Sequence, residues 1–172
     1  DKHQVETNLD LLRTLDLKVE AQNHVLKPST KSMDSYQERL QEILPKSSLP
    51  RIVIHPGCGY ASKQWPHTHF ESLIHEIIQK DIAQVVLIGS QMEKQEFFVR
   101  VTSDANHLVD LRGKTRLEDL PILFKQSHLF IGHDSGPAHL AAAQDLESII
   151  VFSGANDSNV WRPWLDKLHL VR

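Results

Sequence analysis

Ser127-His-Leu-Phe-Ile-Gly-His-Asp-Ser-Gly-Pro-Ala-His-Leu-Ala-Ala-Ala143 reads as a buried strand, a tight polar turn and a helix opening at Pro137. A helix start presents unpaired backbone N–H groups and the positive end of the helix dipole, and a turn of Asp134, Ser135 and Gly136 brings a ligand close to it. That arrangement builds an anion site, and phosphate is the ligand it suits. Pro137 has no N–H to waste at the first helical position, while Ala141, Ala142 and Ala143 let the helix lie close on a sheet. On residue types alone, a well-capped strand-to-helix turn explains the same stretch equally well.

A second loop repeats the pattern. Arg51-Ile-Val-Ile-His55 fits a buried strand, and Pro56-Gly-Cys-Gly-Tyr-Ala-Ser-Lys-Gln-Trp-Pro66 separates it from the next helix. Gly57 and Gly59 permit close backbone approach to a ligand, and Lys63 offers a mobile positive charge for a diphosphate. No Gly-Lys-Ser/Thr closes the loop, so it is not a Walker A sequence.

From these two loops the alternation extends outward. Strands are expected at 51–55, 83–89, 107–111, 128–132 and 148–152, with helices between them, and 169–172 looks like a further strand. Thr68-His-Phe-Glu71 and Thr115-Arg-Leu-Glu118 carry the capping-box pattern, and Met92 to about Ser103 supplies another helix. Such alternation predicts an α/β, Rossmann-like parallel sheet with helices on both faces. Ligands then bind beyond the carboxyl ends of the strands, where the loops after 55, 89, 111 and 132 share one edge.

The first fifty residues differ. Val5, Leu9, Leu12 and Leu15 recur at helical spacing, a second helical pattern runs from Ser35 to about Leu44, and Pro45-Lys-Ser-Ser-Leu-Pro50 reads as a linker. The division expected is 1–50 as the helical tail of a preceding domain with its linker, and 51–172 as the α/β domain that carries both loops. Asp1 is not a methionine and the chain stops on a strand-like run, so a piece of a longer protein is expected, truncated at both ends.

Net charge is −3 over 172 residues with basic groups scattered, which gives no nucleic-acid footprint. The single Cys58 rules out an internal disulfide framework, and no apolar run reaches the length of a membrane span. Asp134, Ser135 and His139 are the residue types of a hydrolytic triad, but Gly132-His-Asp-Ser-Gly136 is not a nucleophile elbow. His67, His69 and His75 lack metal-ligand spacing, and His133, Asp134 and His139 converge only if strand end and helix meet, so no metal site is expected. Trp65, Trp161 and Trp164 are read as packing residues, with Trp161-Arg-Pro-Trp164 placed to border the cleft.

Taken together, Ile54-His-Pro-Gly57, Lys63-Gln-Trp-Pro66, Val86-Leu-Ile-Gly89 with Glu93, Leu111-Arg-Gly-Lys-Thr115 and Gly132-His-Asp-Ser-Gly-Pro-Ala-His139 fall in order and spacing such that the chain resembles glycosyltransferase family 9. The group's best-known members are ADP-heptose:lipopolysaccharide heptosyltransferases. The resemblance covers roughly 50–164 and implies the C-terminal domain of a GT-B glycosyltransferase, the half that binds the nucleotide-sugar donor. By that resemblance Gly57 and Cys58 lie near the donor phosphates, Lys63 stabilises the leaving diphosphate, and Glu93 contacts the ribose. Asp134, Ser135, Gly136 and Pro137 form the turn against diphosphate and sugar, with His139 in the following helix and 111–117 near the base. Cys58 stands where many relatives carry Thr or Ser.

The chemistry implied is inverting transfer of a sugar, expected to be heptose from ADP-heptose, to a lipopolysaccharide core or similar glycolipid, without metal or other cofactor. The acceptor and the general base belong to the N-terminal domain, so no catalytic base is assigned in this chain and binding without turnover is expected of it. A cytoplasmic location, at the inner face of the inner membrane with peripheral association, follows from the same resemblance. Two alternatives remain open at this stage: a sugar-nucleotide-binding module without transferase activity, and a GT-B-shaped sugar-nucleotide epimerase.

Overall fold

The computed structural model describes residues 2–22, 30–97, 104 and 106–172. Six strands, β1 (Arg51–His55), β2 (Gln84–Leu87), β3 (Leu108–Asp110), β4 (Leu129–His133), β5 (Ser148–Val151) and β6 (Leu168–Val171), form one sheet in the order β3-β2-β1-β4-β5-β6. Every pairing is parallel, with Val53 flanked by Val86 on one side and Phe130 on the other. The β-rich runs of the sequence thus all become strands within two residues of the expected ends.

The central strands are buried on both faces, so alternate residues feed two cores. Ile52 and Ile54 of β1 face Phe70, Ile74 and Ile77 of α3 (His67–Gln79). Val53 faces the other way, into a core shared with α5 (Leu120–Lys125) and α6 (Gly136–Ala142). The second core also takes Leu40 and Leu44, at and just beyond the end of α2 (Thr30–Ile43), so the segment ahead of the sheet is packed into it. By contrast α1 (Gln4–Arg13) buries no residue and touches the remainder through His3, whose Nε2 lies 2.8 Å from the Arg162 carbonyl and whose ring meets Trp164 edge-on.

Three local expectations are corrected. α3 starts at His67 behind Pro66, whose fixed φ starts the helix two residues early, so Thr68 lies within the first turn and no side chain caps it. The box expected at Thr115 is displaced by one residue: the Arg116 N–H donates to Asp119 Oδ2 at 2.7 Å at the start of a 3-10 turn, Leu117–Asp119. The helix expected from Met92 to Ser103 is α4 (Gln91–Glu96), and residues 98–103 lie outside the described residues.

Chain order places the site. The strands step outward from β1 to β3 on one side, and the chain then returns to lay β4 against the other edge of β1. Connections leaving β1 and β4 therefore diverge and open a crevice at their carboxyl ends, the switch point of a doubly wound sheet.

Candidate functional site

A cleft of about 370 Å³ occupies that crevice, lined by His55, Glu93, Ser135, Gly136 and Pro137 and closed on its far side by Thr115, Arg116 and Leu117. Four of the expected donor-binding residues, Glu93, Ser135, Gly136 and Pro137, thus share one wall space with the 111–117 loop. That loop is tied to α2, since Arg39 donates through Nη2 to the Lys114 carbonyl at 2.8 Å and pairs through Nη1 with the buried Asp119 at 3.4 Å.

Glu93 is the most constrained of the lining groups. It occupies the third position of α4 in a reciprocal cap: its N–H donates to Ser90 Oγ at 3.1 Å, and its Oε2 accepts from the Ser90 N–H. Its Oε1 lies 3.1 Å from His55 Nε2. The His55 hydrogen bond, aided by those from Ser90 and opposed by burial, holds the carboxyl at about 2. Glu93 is therefore ionised, with lone pairs left over for ligand hydroxyls. Gly57 sits behind it; its missing side chain makes room for the Glu93 carboxylate rather than for a ligand. Gly59, exposed and unobstructed, lines the cleft, and Cys58 is a half-buried free thiol between the two glycines.

Lys63, Asp134 and His139 form a second polar group beside the first. Lys63 Nζ donates to Asp134 Oδ2 at 2.8 Å, and Asn156 Nδ2 donates to the same oxygen at 2.8 Å. His139 Nε2 stands 3.7 Å from Asp134 Oδ1, too far for a short hydrogen bond. Burial works against ionisation of Asp134, but these neighbours outweigh it and keep the carboxyl at about 2. Lys63 is thus not a solvated, mobile cation here: it is engaged by Asp134, and its stem lines a neighbouring cavity with Trp65 and Phe152.

His133, fully buried, holds this architecture from below. Its Nε2 accepts the Trp65 N–H at 2.7 Å, so that nitrogen carries no proton, and Nδ1 therefore donates to the Gly57 carbonyl at 3.1 Å. Burial lowers its pKa, which suits this neutral tautomer. One ring thereby pins both ends of the loop that carries Cys58 and Lys63. Among the described residues no cluster of three His, Cys, Asp or Glu side chains is placed to hold a metal ion.

His55, His133 and Asn156 are joined to these groups by hydrogen bonds, although the sequence reading gave none of them a donor-binding role. His139 also faces a second cavity, of about 320 Å³, between α6, α1 and the last helix α7 (Ser158–Trp161). Trp161 and Trp164 line that flank cavity and not the cleft at the switch point.

The profile of glycosyltransferase family 9 (heptosyltransferase) matches residues 1–172. Lipopolysaccharide heptosyltransferase 3 of Escherichia coli strain K12 is 31% identical over 119 residues, 68% of this chain and 34% of its own. The glycosyl transferase family 9 structure from Veillonella parvula superposes with a TM-score of 0.84 at 17% identity, over 99% of this chain and 49% of that one. ADP-heptose lps heptosyltransferase II of E. coli gives a TM-score of 0.75 at 24% identity, over 92% and 48% of the respective chains. The chain therefore spans half or less of the length of these proteins, and its α/β fold matches that of GT-B glycosyltransferases. Profile, relative and fold agree with the sheet order and the cleft just described, and the chain belongs to glycosyltransferase family 9, the heptosyltransferase family.

Proposed function

We propose that this chain is the donor-binding half of a heptosyltransferase, taking heptose from ADP-heptose and working with an N-terminal half that holds a lipopolysaccharide or similar glycolipid acceptor. The observation that carries it is the cleft at the β1/β4 switch point, in which the ionised Glu93 and the Ser135–Pro137 turn face one another. A carboxylate that is anionic at all working pH values accepts ribose hydroxyls well and repels phosphate, so it orients a nucleotide with its ribose at α4. The diphosphate then runs toward the Ser135 turn and the Lys63–Asp134 pair.

Transfer proceeds by attack of an acceptor hydroxyl on the anomeric carbon with departure of ADP. Lys63 is the leaving-group stabiliser: as negative charge develops on the departing diphosphate, its ammonium is within a side-chain movement of the Ser135 turn. The base is assigned to the N-terminal half, and no metal is required of this half. E. coli ADP-heptose lps heptosyltransferase II, whose name carries the donor, supports the choice of nucleotide. No helix among the described residues is long and apolar enough to cross a membrane. Peripheral association at the cytoplasmic face of the inner membrane fits a glycolipid acceptor.

Calorimetric titration of the chain with ADP, UDP, GDP and ADP-heptose tests the reading. The expected result is selective binding of ADP and ADP-heptose, weakened about 10- to 100-fold in Lys63→Ala. Equal affinity for the three nucleotides, or none, overturns it.

A further inference from the structure

His55 is 5% exposed at the end of β1 and has a polar partner on each side. Nε2 lies 3.1 Å from Glu93 Oε1, and Nδ1 lies 3.4 Å from Ser135 Oγ. The imidazole thus joins the two walls of the cleft, 38 and 80 residues further along the chain. Ser135 occupies the first position before α6, yet its hydroxyl makes no capping bond and is left for this contact.

The proton inventory of this chain of three groups is restricted. An ionised carboxylate only accepts, so Nε2 carries a proton. If the ring is neutral, Nδ1 is a lone pair and takes the Ser135 O–H, which leaves Ser135 showing only lone pairs to the cleft. Such an oxygen repels a phosphate oxygen. If the ring is an imidazolium, Nδ1–H donates to Ser135 Oγ, and the hydroxyl proton is released to donate into the cleft. The neutral ring can meet a phosphate only by turning the Ser135 hydroxyl away, which sets two lone pairs against each other.

We propose that His55 is a positioning residue of the donor site that takes up a proton when a nucleoside diphosphate binds, converting Ser135 from a hydrogen-bond acceptor into a donor to the diphosphate. This rests on the donor-site reading above. The balance is one solvent proton gained at Nδ1, with no bond to carbon or phosphorus made or broken. The groups facing the ring are accounted for. Glu93 on α4 is anionic and accepts from Nε2. His133 on β4 is held neutral by its two backbone partners, and the Asp134 carboxylate is matched by Lys63 with His139 beside it. Arg112, beside the Gly89 turn, is paired with Asp110, and Arg116 stands across the cleft. Of the groups bonded to both Glu93 and Ser135, the His55 ring alone can change its proton count.

The test is calorimetric titration of the full chain with ADP at about pH 7.5, in Hepes and in Tris, whose different ionisation heats report proton uptake. Wild type, His55→Gln and Ser135→Ala are compared, since Gln keeps a donor for Glu93 and cannot be protonated. Wild type is expected to take up about half a proton more than His55→Gln, and its ADP affinity to fall roughly fivefold between about pH 7.0 and 8.5 against less than about twofold in the variant. Ser135→Ala is expected to bind ADP several-fold more weakly and to lose the same pH dependence. Should His55→Gln not unfold cooperatively, Ser135→Ala decides alone. Equal proton uptake in wild type and His55→Gln, or an unchanged pH dependence in Ser135→Ala, overturns the proposal while leaving the donor site standing. Absence of ADP binding to wild type overturns both.

Discussion

The carboxylate of Glu93 fills the space that a Cβ on residue 57 would occupy. Glu93 cannot simply swing aside, because Ser90 and His55 hold one oxygen each. Gly57→Ala is therefore expected to break the Glu93 cap and shift the loop, with a loss of about 1–3 kcal/mol in urea unfolding. ADP affinity should fall in parallel, and Gly57→Ala combined with Glu93→Ser, which removes the clash, should recover part of the stability without recovering ADP affinity, because the carboxylate that meets the ribose is gone. A fully stable Gly57→Ala with wild-type ADP affinity would show that the loop adapts freely.

Glu93 and Asp134 set the acid limit of the fold. Both carboxyls lie at about 2 in the folded chain, below their ordinary values, so the stability they contribute is complete above the unfolded pKa and is lost as pH falls through the folded one. Unfolding free energy is expected to decline from about pH 5 to pH 2, by on the order of 2 kcal/mol for each group. Glu93→Gln and Asp134→Asn should each flatten that slope in urea titrations at stepped pH. An unchanged slope in both would assign the acid sensitivity elsewhere.

Much of this was legible in the residues. Short apolar runs separated by helical patterns placed all six strands, because strands buried on both faces leave a continuous β-branched signature. The two loops facing across the switch point followed from the same alternation. What escaped were contacts between loops far apart in sequence: His55 with Ser135, Asn156 with Asp134, and His133 with Gly57 and Trp65. No periodicity encodes these, since they depend on how three loops converge above one sheet edge. Ser90-Gln-Met-Glu93 did carry a readable cap signal and was passed over in favour of Thr68 and Thr115, where Pro66 and Asp119 decide the helix starts instead.

Leu40 tests how far the segment ahead of the sheet shares in its stability. With 1% exposure and contacts in the core beside α5, Leu40→Ala should cost about 2–5 kcal/mol and lower a single unfolding transition. A second, separate transition, or no effect, would mean that α2 folds independently of the sheet.

His133 gives a pH response in the neutral range. Its pKa is lowered by burial, so its contribution is full above the unfolded value near 6.5 and erodes as pH falls toward the folded one, when protonation of Nε2 would expel the Trp65 N–H. His133→Ala should lose about 2–4 kcal/mol at pH 8 and become less sensitive than wild type to a drop to pH 5.5. An equal loss at both pH values would contradict the neutral tautomer.

The Lys63–Asp134 pair should report ligand binding directly. Both groups are largely buried, at 19% and 9% side-chain exposure, and a 2.8 Å hydrogen bond ties the Lys63 ammonium to Asp134. A double-mutant cycle with Lys63→Ala and Asp134→Asn should therefore give a coupling of about 1–3 kcal/mol without ligand. If the ammonium moves to the diphosphate, the same cycle in saturating ADP must show a smaller coupling, because Asp134 then keeps only Asn156 and His139. A coupling that ADP leaves unchanged would mean that Lys63 serves the turn and never reaches the leaving group, and the stabilisation of the departing diphosphate would have to come from the other half of the enzyme.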